Sequence, residues 1–161
     1  MYPKIMKSNN LIIAGLSDDG RKTGQLWTTF DQLTKTVPIP NKVSDDGYEV
    51  RIYEEECHVH VGYAVTNTDV NQSFKSLILP ASQYAVFDVH PIKGYDSENE
   101  SMDQWLEENK GRFSQKLLNG KPYVVEFFGE RFNGNEVDSI VEIWIPIETT
   151  KYEVSDLGIE K

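Results

Sequence analysis

Two glutamates near the end of the chain stand among large apolar side chains, in segments 123–128 and 139–146 that alternate as β-strands do. Because strand side chains point to opposite faces in turn, a hairpin of these segments would gather acids and aromatic rings on one face. The residues predicted to share that face are Val124, Glu126, Phe128, Ile140, Glu142 and Trp144. The opposite face is apolar and is predicted to pack on helices.

Carboxylates enclosed by valine, isoleucine and aromatic rings lose hydration energy unless they are hydrogen-bonded or meet a cation. Such a face is typical of a partly enclosed pocket for a positively charged ligand. The ring of Trp144 could add a cation–π contact beside the carboxylate of Glu142. The alternative interpretation is an exposed edge hairpin whose glutamates have no special role.

A strand in the first half of the chain is predicted to supply the other wall of this pocket. If the valines of segment 58–66 face the core, the residues between them, including Gly62, face the pocket. Gly62 would leave room for a ligand, and Tyr53 would join it from the neighbouring strand. A slip of one residue in register would exchange these faces.

The elements that must position these residues follow the order β-α-β-β in each half of the chain. The predicted elements are a strand at 11–16, a helix at about 24–35, strands at 48–53, 58–66 and 83–90, a helix that begins at Ser101 in a capping box and includes Phe113 and Leu117 on its apolar face, and strands at 123–128 and 139–146. Two such units predict an α+β fold of tandem pseudo-twofold repeats. Its antiparallel sheets would carry the helices on one side and form a central ligand cleft on the other side.

Length and charge limit the classes of protein to which this chain can belong. The 161 residues predict a single domain over 1–161, with a core at about 10–148 and a polar tail at 149–161. A net charge of −10 disfavours direct binding of nucleic acid. We expect no membrane span and no secretory signal, and therefore a cytoplasmic protein.

The sequence has few of the motifs that hold metals or cofactors. Cys57 is the single cysteine, so neither a disulfide nor a multi-cysteine zinc site is predicted. His58 and His60 share one side of a strand, but this pair is too short to diagnose a metal site. There is no glycine-rich phosphate loop and no serine nucleophile elbow. We predict no metal, no cofactor and no assigned catalytic residue.

Several segments resemble a known family of ligand-binding domains. LPASQYAVFDVH, KPYVVEFFGERF and VEIWIPI resemble, in order and spacing, the second half of GyrI-like domains, the effector-binding domains of bacterial transcription activators, including the AraC type. LWTTF and HVGYAV fit the first half, so the resemblance covers about residues 10–148. It implies a cleft that accepts lipophilic, often cationic compounds beside a buried glutamate and aromatic walls.

The resemblance also assigns positions within the motifs. Glu126 matches the glutamate of the Glu-x-Tyr motif of the family, and Glu142 matches the acid that opens the last strand. Phe128 stands where tyrosine is commoner, so a phenolic hydrogen bond is missing. This departure weakens a catalytic interpretation more than a binding one, because ring stacking survives loss of a hydroxyl while a proton relay does not.

The function predicted from these observations is that of a stand-alone effector-binding module. It would bind a lipophilic, cationic small molecule, in transcriptional regulation or in a response to drugs or toxins. A transcriptional role would require a separate regulatory protein partner. Two alternatives remain: a hydrolase of electrophilic small molecules with Glu126 as general base, and a protein-interaction module like the gyrase inhibitor that gives the family its name.

Overall fold

The computed structural model describes residues 2–150, which form nine β-strands and two α-helices. In chain order they are β1 (Lys4–Ser8), β2 (Leu11–Asp19), α1 (Thr23–Thr36), β3 (Lys42–Tyr53), β4 (Cys57–Val65), β5 (Lys75–Leu79), β6 (Ser82–Val89), α2 (Asp96–Glu108), β7 (Phe113–Gln115), β8 (Tyr123–Phe128) and β9 (Val141–Thr149). The predicted polar tail lies, from residue 151 onward, outside the described residues.

All strands join one antiparallel sheet, so the predicted α+β class is confirmed. The strand order is β1-β6-β9-β8-β3-β4-β2-β5, with β7 paired to β9. Within it, β2-β4-β3 and β6-β9-β8 have the same order of elements along the chain, and the pair β3–β8 joins them. A twofold relation between the two units stays a prediction. Within residues 2–150, neither helix is long and apolar enough to cross a membrane.

Both helices pack on the same face of this sheet. Leu26 and Phe30, one helical turn apart on α1, are buried against valines of β4. Met102 and Trp105 of α2 are buried against apolar side chains of β6 and β9. The strand registers place these two clusters on one face, which follows from the alternation of side chains along each strand. The strands β3 and β8 lie between the clusters.

The second helix differs from its prediction at both ends. It begins at Asp96 rather than Ser101, and the Ser101 hydroxyl donates to the carbonyl oxygen of Ser97 within the helix, so the predicted capping box is wrong. Asp96 and Glu98 favour the start because acids stabilise the first turn of a helix. The helix ends at Glu108, and Phe113, which was predicted on its apolar face, begins β7.

The face of the sheet turned away from the helices is a second core. Tyr84 and Tyr123 are almost completely buried there, and their hydroxyls are 3.0 Å apart in a hydrogen bond. Val125 and Trp144 belong to the same cluster. The prediction that the face of Tyr123 and Val125 packs on helices is therefore wrong, and so is the placement of a cleft on the side opposite the helices.

Candidate ligand-binding site

A cavity of about 670 Å³ opens on the helix-bearing face, above the strands that lie between the two helix-packed clusters. Its size is within the range of small-molecule sites. Val124 of β8 and Ile143 of β9 are among the strand residues that line it, and Met102 lines it from α2. The polar and aromatic side chains that line this space are Glu49, Arg51, Tyr53, Tyr95, Asn99, Asp103, Gln115, Glu126 and Phe128. We call it the acid–aromatic cavity.

Two carboxylates share one guanidinium in this cavity. Glu49 of β3 lies directly opposite Glu126 of β8. The Nε atom of Arg51 is 2.9 Å from Oε2 of Glu49 and 3.0 Å from Oε2 of Glu126. The side chains of the two acids are only 6% and 13% exposed, whereas that of Arg51 is 26% exposed. One cation therefore serves two mostly buried anionic groups.

The first helix holds two members of this cluster in place. Trp27 of α1 donates its indole Nε1–H to Oε1 of Glu49 at 2.8 Å. A terminal nitrogen of Arg51 donates to the hydroxyl of Thr23, the first residue of α1, at 3.2 Å. Since both contacts come from one helix, the orientations of Glu49 and Arg51 depend on how α1 packs on the sheet.

The environment shifts the pKa values of the cavity groups. Burial, and then the charge of Glu49, raises the pKa of Glu126 to about 8, although Arg51 opposes this. Burial lowers the pKa of Arg51, but the charges of Glu49 and Glu126 outweigh it and raise that pKa overall. Burial followed by the same two acids raises the pKa of Tyr95 to about 12. At neutral pH, Glu126 therefore retains a proton while Arg51 stays charged.

No family model and no curated protein matches this chain by sequence, but solved structures match its fold. SAV2435 bound to tetraphenylphosphonium is similar at a TM-score of 0.65 and 15% identity, over 92% of this chain and 94% of that one. The EcmrR C-terminal domain is similar at a TM-score of 0.67 and 11% identity, over 91% and 97%. The chain has the GyrI-like fold. A hydrolase from Listeria innocua is similar at a TM-score of 0.51 and 10% identity, over 91% and 92%.

Three of the six residues predicted from the sequence lie in the cavity of this GyrI-like fold. Glu126 is on its floor, Tyr53 is a partly exposed part of its wall, and Phe128 lines it at the end of β8. The ring of Phe128 also meets Trp27 edge to face, with centroids 5.8 Å apart. The ring of Phe128 thus connects the cavity to α1.

Glu142 and Trp144 do not line the cavity, because the register of the last hairpin differs from the prediction. Glu126 lies opposite Ile143, and Glu142 lies opposite Phe127 on the other face. There Glu142 accepts hydrogen bonds from Arg131 at 2.8 Å and from the indole of Trp144 at 2.9 Å. A one-residue change in pairing moves every side chain of a strand to the opposite face, so the predicted register is wrong.

Gly62 has a structural role rather than the predicted one of making room for a ligand. It lies opposite Gly15 in the β2–β4 pair, away from the cavity. A Cβ atom on Gly62 would be 2.0 Å from the carbonyl oxygen of Ala14, and one on Gly15 would be 1.7 Å from that of Val61. The two glycines therefore permit the close approach of β2 and β4 in the GyrI-like sheet.

The sequence prediction missed Glu49, Arg51 and Tyr95. The first two alternate with Tyr53 along β3, so placing Tyr53 in the pocket also implied that they face it. Tyr95 precedes α2 in a polar loop that has no periodicity, and no sequence signal could have found it. Among residues 2–150, no group of three or more acidic, histidine or cysteine side chains is arranged to hold a metal ion.

Proposed function

We propose that this chain reversibly binds a lipophilic cation in the acid–aromatic cavity. The observation that carries the proposal is the pair of mostly buried carboxylates that shares a single guanidinium beside aromatic rings. When Glu126 is ionised, the cluster of Glu49, Glu126 and Arg51 has an excess of one negative charge. A buried excess charge is unfavourable unless a proton or a cation compensates it.

The aromatic lining favours an organic cation over a small inorganic one. Tyr53, Tyr95 and Phe128 present ring surfaces to the cavity, and ring faces attract diffuse positive charge. The rings and the apolar lining residues Val124, Ile143 and Ile145 also favour a ligand that buries hydrocarbon surface. A hydrated metal ion would exploit none of these contacts.

The fold relative SAV2435, which was solved with tetraphenylphosphonium, supports the same class of ligand for this chain. The similarity to the EcmrR C-terminal domain, and to EcmrR solved in a complex with DNA, supports a role as an effector-binding module in transcriptional regulation. A separate regulatory protein is the partner that we propose for such a role. The biological setting that we propose is a response to lipophilic drugs or toxins.

Hydrolysis of an electrophilic small molecule is the second candidate. The raised pKa of Glu126 places the group near neutrality, where general acid–base catalysis is most efficient. A hydrolase also appears among the proteins of similar fold. Phe128, however, provides no hydroxyl to relay a proton. Glu126→Gln would abolish turnover in a hydrolase while leaving binding of a neutral substrate largely unchanged.

The test of cation binding compares methyltriphenylphosphonium with the neutral triphenylphosphine oxide, which has a similar aromatic body. Calorimetric titration at about pH 8.5, where Glu126 is largely ionised, should show clearly tighter binding of the cation. Glu126→Gln should weaken cation binding by on the order of 1–3 kcal/mol and leave the neutral compound unaffected. Equal affinity for both compounds, or no binding of either, would refute the proposal.

A further inference from the structure

The acid–aromatic cavity already contains a cation that belongs to the protein. Arg51 places Nε between Glu49 and Glu126, and its terminal nitrogen is anchored to Thr23 of α1. Among the described residues that line the cavity, Arg51 is the single basic side chain. Its position is thus defined by partners from β3, β8 and α1, with a further, longer contact of 3.9 Å to Sγ of Cys57 on β4.

The charges around the cavity can be counted. Glu49 and Glu126 each contribute one negative charge when ionised, and Arg51 contributes one positive charge. Asp103 of α2 also lines the cavity, but it is exposed, so solvent and salt screen its charge. Tyr53 and Tyr95 are neutral, since burial raises the pKa of both phenols. The buried cluster therefore has a net charge of −1 with both acids ionised.

We propose that Arg51 determines the charge of the ligand by cancelling one of the two buried carboxylates, so that the cavity accepts one positive charge. This inference rests on the proposed function. Carboxylates that lie directly opposite each other across two strands repel each other. Without Arg51, two positive charges rather than one would be needed to neutralise Glu49 and Glu126. Arg51 is thus a specificity-determining residue, and the affinity of the cavity for dications is limited by its presence.

The charge count also predicts the effect of removing the whole ion pair. Glu49→Gln alone leaves Arg51 and Glu126, whose charges balance each other. The cavity then has no net negative charge for a cation to neutralise. Removing Arg51 in addition leaves Glu126 with a charge of −1, and cation binding returns. Replacing both members of a buried ion pair by neutral groups is far less disruptive than removing one.

The experiment uses monomethyl bipyridinium and dimethyl bipyridinium, which share one aromatic body and carry one and two positive charges. Affinities are measured by calorimetry at about pH 9, where Glu126 of the wild type is largely ionised, and again at about pH 10, because Arg51 lowers the pKa of Glu126 and its loss favours the protonated acid. In Arg51→Gln the ratio of dication to monocation affinity should rise about tenfold or more above that of the wild type. Arg51→Lys, which keeps the charge, and Arg112→Gln, which removes an exposed arginine elsewhere, should keep the wild-type ratio.

A second comparison remains decisive if Arg51→Gln does not fold. Glu49→Gln should bind the monocation about tenfold or more weakly than the double variant Glu49→Gln/Arg51→Gln. An unchanged ratio in folded Arg51→Gln, or equal affinity in the second comparison, would overturn the role of Arg51. The proposed function would survive that result if Glu126→Gln still weakened cation binding. Failure of the wild type and of all these variants to bind either cation would instead reject the proposed function.

Discussion

Glu49 and Glu126 are direct cross-strand partners, and both side chains are mostly buried. Two like charges in this arrangement destabilise a sheet unless something compensates them. Here the guanidinium of Arg51 offsets one charge, and the proton that Glu126 retains at neutral pH removes the other. A bound cation would take the place of that proton, so ligand binding and protonation are coupled in this cavity.

Cation affinity should therefore depend on pH. Because the pKa of Glu126 is raised to about 8, a cation that binds below that pH must first displace a proton. Affinity for methyltriphenylphosphonium should rise with pH, by up to about tenfold per unit, and level off above about pH 8. Calorimetry at about pH 7 in phosphate and in Tris should detect close to one proton released per cation. Glu126→Gln should remove the pH dependence. Equal affinities of the wild type at about pH 6.5 and 9 would contradict the coupling of cation binding to the protonation of Glu126.

The stability of the free protein should depend on the same group. Folding raises the pKa of Glu126 from 4.5 to about 8, so the native state holds a proton that the unfolded chain releases. The stabilising contribution is fully present below pH 4.5, declines as pH rises, and is lost by about pH 8.

Urea unfolding of the wild type and Glu126→Gln at about pH 5, 7 and 9 would measure this contribution. The variant should gain stability relative to the wild type between about pH 5 and 8, with no further gain above. The difference in the free energy of unfolding between the two proteins is compared, because titration of the groups that they share cancels in it. A difference that is constant across this range would show that Glu126 has no raised pKa.

Glu142→Gln is the matched control for Glu126→Gln, since it changes the same functional group on the same hairpin. Because Glu142 lies on the opposite face and binds Arg131 and Trp144, cation affinity should be unchanged. The stability of the fold should fall by about 1 kcal/mol or more, as a mostly buried acceptor of charge-assisted hydrogen bonds is weakened. Weaker cation binding in Glu142→Gln would contradict the placement of Glu142 outside the cavity.

Gly62→Ala should destabilise the fold by about 1–3 kcal/mol or more, because the added methyl group collides with backbone of β2. Gly24→Ala is the matched control: a Cβ at that position of α1 meets no atom within 4 Å. Alanine there should be neutral or stabilise the helix by up to about 1 kcal/mol. Chemical denaturation of both variants tests the pair. Equal stability of the two would rule out a close strand approach at Gly62.

The sequence alone determined the fold class and the order of the elements that surround the cavity. Periodicity is a local property, and it is sufficient to recognise α1 and the alternation that directs Val59 and Val61 of β4 towards that helix. Local alternation was also sufficient to select Glu126 and Phe128 as neighbours on one face of β8. Each of these conclusions needs only residues within one element.

Only the tertiary structure decided which strands meet, and in which register. Arg51 and Glu126 are 75 residues apart in the chain, and their contact exists because β3 pairs with β8. A slip of one residue between β8 and β9 would exchange Ile143 for Glu142 beside Glu126. Register is selected by the burial of both faces of a strand against parts of the chain that are distant in sequence. The free energy of that burial therefore depends on nonlocal contacts. For this reason the sequence could identify one acid of the cavity, while the identity of its partner depended on the folded sheet.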